Sequence, residues 1–128
     1  MNNKTSEFLG LRTCIYKVDE LTKAKAWYSK VFNVDPYFDE AYYVGFNIGG
    51  FELGLMPSED SKEQKSSNVL TYWGVQDMNA SYDRLTELGA EAFEEIMDVG
   101  DGVLVATVKD PWGNVLGLIY NPFFKAAT

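Results

Sequence analysis

Residues 11–33 read LRTCIYKVDELTKAKAWYSKVFN, and two periodicities meet inside them. Over Leu11–Val18 the side chains fall into two alternating sets, with Thr13, Ile15 and Lys17 on one side and Cys14, Tyr16 and Val18 on the other. That is the pattern of a half-buried strand. Asp19 follows as the expected N-cap. From about Glu20 to Phe32 the spacing becomes helical: Leu21, Ala24, Tyr28 and Val31 recur on one face, and Trp27 and Phe32 widen the stripe. Asn33 suits a left-handed helix stop.

Outward from this unit, short strands are expected at Tyr37–Asp39, Tyr42–Ile48 and Phe51–Met56, with Gly49-Gly50 as a two-residue hairpin turn. The next segment, PSEDSKEQKSSN from Pro57 to Asn68, has no apolar side chain except the proline and reads as a loop. Beyond it the same order returns. A strand at Val69–Val75 leads to a helix capped by Asp77, with Met78, Tyr82, Leu85 and Leu88 on its buried face and Gly89 as its stop. Strands at Glu91–Asp98, Val103–Lys109 and Val115–Tyr120 follow, with a turn at Asp110-Pro111-Trp112-Gly113-Asn114. Val18 maps onto Val75, Glu20 onto Asp77, and Leu53-Gly54-Leu55 onto Leu116-Gly117-Leu118. The fold class is α+β, a βαβββ module twice over. Residues 1–128 form a single domain, with module one at about 9–56, a polar linker at 57–68, module two at about 69–121 and a C-terminal tail at 122–128.

A chain of 128 residues is one ordinary domain's worth, and 46% hydrophobic with 23% charged residues is a globular mixture. The net charge of -8 repels phosphate backbones and anionic lipid, so neither a nucleic acid nor a membrane is an expected partner. No histidine is present, which excludes Ser–His triads and imidazole metal sites. The single cysteine, Cys14, cannot form an intrachain disulfide and reads as a small buried hydrophobe rather than a nucleophile, because no base accompanies it. The polar start, Met1–Glu7, is not followed by a signal-like apolar region, and runs such as Val115–Tyr120 are too short to span a bilayer. A cytoplasmic protein is expected.

Tyr16-Lys17-Val18-Asp19-Glu20-Leu21, followed by Ala26-Trp27-Tyr28 and Val31-Phe32, resembles the opening of the vicinal oxygen chelate superfamily, which includes glyoxalase I, bleomycin-resistance proteins and extradiol dioxygenases. Tyr72-Trp73-Gly74-Val75-Gln76-Asp77 with Leu88-Gly89-Ala90 is similar to the opening of that family's second module, and Asp110-Pro111-Trp112-Gly113-Asn114 before Leu116-Gly117-Leu118 to its closing strand. The resemblance covers Leu9 to Asn121. It implies an open, cup-shaped barrel with the site in the cup, and a homodimer as the assembly. Enzymatic members hold a divalent metal at four inward positions, which the resemblance carries to Thr13, Leu70, Gly54 and Gly117. None of these supplies an imidazole or carboxylate, so no cofactor and no metal ligand is expected. Glu52, two residues before Gly54 on the same face, is either a rim residue, solvated or paired to a cation such as Lys17, or the centre of a displaced metal site.

Alternation sets the expected cup lining: Thr13, Ile15 and Lys17; Tyr43, Gly45 and Asn47; Leu70, Tyr72 and Gly74; Val103, Val105 and Thr107; Val115, Gly117 and Ile119. The candidate ligand-binding residues are Thr13, Ile15, Tyr43, Glu52, Gly54, Leu70, Tyr72, Val105, Gly117 and Ile119. They make a mostly apolar concavity with a few polar groups, the usual make-up of a small-molecule site. Gly54 and Gly117 either leave room for an aromatic guest or relieve crowding where the closing strands bend. Of the aromatic residues, Tyr28, Phe32, Phe46 and Tyr82 are expected in the core, Tyr43, Tyr72 and Trp112 at the cup, and Phe123 and Phe124 over an edge or in a dimer contact. Gly100-Asp101-Gly102 is a hairpin turn rather than a cofactor loop. General acid–base work would fall to Glu52, Lys17 or Tyr72, no two of which are forced together by spacing, so no catalytic residue is assigned.

Three readings follow. The leading one is a metal-independent protein that sequesters or senses a small organic ligand, aromatic or cationic. The second is a glyoxalase-like lyase, isomerase or resistance enzyme with a displaced metal site. The third is a structural role, with the cup filled by the protein's own side chains.

Overall fold

Among the described residues, each of two helices is preceded by one strand and followed by three. The computed structural model describes residues 7–59, 65 and 68–123. After Pro57 the chain divides into two compact units. The first contains β1 (Thr13–Val18), α1 (Leu21–Phe32), β2 (Phe38–Glu40), β3 (Tyr43–Ile48) and β4 (Phe51–Pro57). Its sheet runs β1-β4-β3-β2, with β1 parallel to β4 and the other pairs antiparallel. The second contains β5 (Tyr72–Gly74), α2 (Met78–Glu87), β6 (Glu91–Asp98), β7 (Leu104–Lys109) and β8 (Val115–Tyr120), in the order β5-β8-β7-β6.

The period-two pattern of β1 sends Tyr16 and Val18 into the core, where Ala24, Tyr28 and Val31 of α1 are buried as well. The Tyr16 and Tyr28 rings stack at 6.0 Å. Leu53, Leu55, Val44 and Phe46 complete this layer, each worth roughly 1.5–3 kcal/mol of burial. Cys14, on the same side of β1, is only half buried. In the second unit Met78 and Leu85 of α2 are buried together with Ala106, Val108, Leu116 and Leu118 of the sheet.

The helix ends show where local signals hold. Asn33 is left-handed, with φ 57 and its N–H bonded to Ser29 O. Asp77 Oδ1 accepts the Ala80 N–H at 3.1 Å, as an N-cap should. At α1, however, the cap position falls on Glu20 and not on Asp19, and no side chain caps it; the Glu20 carboxylate turns to Lys23 at 3.0 Å instead. Gly49 and Gly50 turn the β3–β4 hairpin with φ 60 and 93, values that favour glycine.

β5 is shorter than the expected Val69–Val75. Its pairing with β8 spans Tyr72–Gly74, extended only by Gly117 N–H to Thr71 O at 2.8 Å and Val75 N–H to Ile119 O at 2.9 Å. Val69 and Leu70 precede it in exposed chain. The turn between β7 and β8 is organised by the buried Asp110 carboxylate, which accepts the N–H groups of Trp112 (2.9 Å) and Asn114 (2.7 Å) and the Asn114 side-chain amide (2.9 Å). Among the described residues no helix is long and apolar enough to cross a membrane. Phe123 is exposed, and Phe124 lies outside the described residues.

Candidate functional site

The register brings one half of the predicted site together on the face of the first sheet opposite α1. Thr13 lies beside Glu52, Ile15 beside Gly54, Gly54 beside Gly45, Glu52 beside Asn47, and Phe38 beside Gly45. Two glycines side by side leave a strip without side chains across β3 and β4. Aromatic rings lie over it. A Cβ at Gly54 would overlap Tyr43 Oη and stand 2.6 Å from the ring's Cζ, and one at Gly45 would stand 3.2 Å from Tyr37 Cε1.

Glu52 is the hub of this face. Tyr37 Oη donates to its Oε1 at 2.7 Å, Tyr43 Oη donates to its Oε2, and Thr13 hydrogen-bonds Tyr43 in turn. The hydrogen bond to Glu52, with burial second, holds the Tyr37 phenol above its ordinary 10.0. Burial first, and then the Glu52 bond, does the same for Tyr43, against a smaller opposing effect of Thr13. The expected alternatives for Glu52, open solvent or Lys17, are replaced by two phenols. Tyr37 was not among the predicted site residues. Its backbone N–H is pinned to Gly45 O at 3.0 Å, a long-range bond with no local sequence signature.

On the second sheet Tyr72 lies beside Gly117, Gly74 and Val105 beside Ile119, and Thr107 beside Gly117. A Cβ at Gly117 would stand 2.6 Å from Tyr72 Cδ1 and 2.7 Å from Thr71 O. Thr107 Oγ1 donates to Glu94 Oε1 at 2.9 Å and accepts the Glu94 N–H at 3.1 Å. Leu70, placed by sequence on this strand, lies ahead of it. The idea that the glycines leave open room is therefore corrected in both units. Tyrosine rings of the protein itself, Tyr43 and Tyr72, already lie on Gly54 and Gly117.

Thr13, Leu70, Gly54 and Gly117 offer one hydroxyl, one isobutyl group and two hydrogens, a donor set that does not fit a divalent ion. A displaced centre at Glu52 has no better support, because its neighbours are Thr13, Asn47 and two phenols. Among the described residues no group of three or more His, Cys, Asp or Glu side chains is placed to hold a metal. Elsewhere on the first unit an open cleft of about 350 Å³ is lined by Leu21, Thr22, Lys25, Asp39, Glu40 and neighbours, but its central charges neutralise each other in the Lys25–Asp39 pair at 2.9 Å.

Two βαβββ units, each with its first strand parallel to its closing strand, are the architecture of the glyoxalase fold. The chain belongs to the glyoxalase/bleomycin resistance protein/dioxygenase superfamily, whose family model matches residues 10–118. It is similar to a glyoxalase-related enzyme from Fulvimarina pelagi (TM-score 0.75, 16% identity, covering 94% of each chain). It is also similar to a genomically encoded fosfomycin resistance protein from Listeria monocytogenes (TM-score 0.71, 19% identity, covering 93% of this chain and 97% of that one). A lactoylglutathione lyase from Agrobacterium tumefaciens gives a TM-score of 0.70 at 16% identity, covering 94% of this chain and 100% of that one. No curated protein matches the sequence. At these identities the likeness is one of fold.

Proposed function

We propose that this protein is a metal-independent member of its superfamily that binds a small organic ligand on the helix-free faces of its sheets. The observation that carries the reading is the pair of tyrosines over Gly54 and Gly117. The resemblance assigns metal ligands to those two positions, and here a phenol ring takes the space at each. What remains on these faces is aromatic and aliphatic surface, with Ile15, Tyr37, Phe38 and Tyr72 exposed, interrupted by a few polar groups. That mixture grips a guest by stacking and hydrogen bonding.

The test is a calorimetric titration of a set of small aromatic compounds, with and without chelator, beside melting curves with nickel, zinc or manganese. Saturable binding indifferent to chelation, and a Tm unmoved by the metals, is the expected result. A metal bound at a hundred times its Kd would stabilise the fold by about 2.7 kcal/mol, a shift of several degrees. Such a shift, together with binding that requires the metal, would overturn the reading.

A further inference from the structure

The Glu52 carboxylate is arranged to receive a hydrogen-bond donor from outside. An ionised carboxylate offers about four lone-pair sites, and Tyr37 and Tyr43 occupy one on each oxygen. The same two bonds fix its orientation, so little rotamer freedom is left to lose when a further partner arrives. Lys23 is paired with Glu20 and Lys25 with Asp39, so neither of these cations is directed at it. Its strand neighbours, Thr13 and Asn47, are uncharged. Lys17, the cation on the same face of β1, is four residues from Thr13, roughly 13 Å along the strand.

Two aromatic rings meet this carboxylate, and a third lies beside one of them. Tyr37 and Tyr43 bond to it directly, and the Phe38 ring lies 6.1 Å from that of Tyr43. Tyr37 is 62% exposed and Phe38 37%, so both present surface to solvent. Ring faces attract cations, as does a chain of net charge -8. A neutral donor would gain the hydrogen bond alone, whereas a cation gains a charge-assisted bond and the ring contacts together. One carboxylate is too little for a divalent ion but suits a monovalent one.

We infer that Glu52, held by Tyr37 and Tyr43, anchors an organic ammonium ion whose apolar or aromatic body lies against Tyr37, Phe38 and Ile15. The inference rests on the reading of this face as a ligand site and adds the charge class and the anchoring atom.

Matched probes decide it: naphthylmethylammonium, naphthylmethanol and naphthoate, each titrated into the whole chain and followed by backbone amide shifts. The ammonium should bind about tenfold or more tightly than the alcohol, naphthoate weakest of all, with shifts concentrated at Gly45, Glu52 and Gly54. Glu52→Gln should weaken ammonium binding by about tenfold or more, with its spectrum otherwise retained. Tyr37→Phe keeps the ring but releases one of the two bonds that orient the carboxylate, so ammonium affinity should fall by about twofold to fivefold while the preference over the alcohol persists. If Glu52→Gln fails to fold, Tyr37→Phe and the probe ranking carry the test. Equal binding of ammonium and alcohol, or an unchanged affinity in Glu52→Gln, would remove the anchor and leave the broader ligand-binding reading intact. Failure of all three probes to shift amides on either sheet's helix-free face would remove both.

Discussion

A phenol that donates to a carboxylate, or is partly buried, loses its proton late, because ionisation gives up the hydrogen bond and leaves a charge poorly solvated. Tyr37 and Tyr43 are in that position around Glu52. Both are held above the tyrosine value of 10.0 in the folded state. A raised folded value means that the stabilisation from these bonds is complete below pH about 10 and is lost as pH climbs through the higher folded values. Absorbance titration of tyrosinate should therefore show a late component that disappears in the Tyr37→Phe, Tyr43→Phe double variant. Denaturant melts should lose stability above pH about 10 more steeply in the parent than in that variant. A titration identical in both would contradict the network. At this scale the sequence made Glu52 and Tyr43 legible as face-sharing residues, since alternation is a local property. It could not show that Tyr37 reaches Glu52 across fifteen positions, which depends on how β2 docks onto β3.

The closing strands β4 and β8 present the same local sequence, Leu-Gly-Leu, in two different surroundings. At Gly54 the atoms nearest an added methyl belong to the far end of the Tyr43 side chain, which can swing away at the expense of its Glu52 bond. At Gly117 it meets the Thr71 carbonyl, which is backbone, as well as the Tyr72 ring. Gly117→Ala should therefore destabilise by about 2–3 kcal/mol and Gly54→Ala by about 1 kcal/mol, read from denaturant midpoints. Adding Tyr43→Ala should relieve the clash at position 54, and Tyr72→Ala should not fully relieve that at 117. The reverse ranking would mean that the two strands are not packed as described.

The helix starts differ in the same way. Asp77→Ala removes a real cap and should cost about 1 kcal/mol, while Glu20→Ala removes no side-chain cap and loses an exposed pair with Lys23, and should cost less, about 0.5 kcal/mol. Cap signals were legible because they act over three residues. The choice of Glu20 over Asp19 was not, because it depends on which residue first takes up helical backbone angles in the folded chain.

Across the whole molecule, the order βαβββ twice follows from periodicity, since period two and period 3.6 leave separate imprints on which residues must be apolar. The absence of histidine, the acidic balance and the glycines at 54 and 117 are likewise fixed by composition and position alone. The resemblance to the superfamily was carried by the motifs at Tyr16–Leu21, Tyr72–Asp77 and Asp110–Asn114 in their order along the chain, and composition alone gave reason to doubt an imidazole-based metal site. Tertiary structure decided what stands over each glycine: Tyr43 arrives from β3 onto β4, and Tyr72 from β5 onto β8. It also decided that Glu52 faces phenols rather than Lys17. The physical reason is the same in each case. Periodicity constrains which side of a strand a residue occupies, whereas the neighbour it meets there is set by cross-strand register and rotamer, which only the assembled sheets supply.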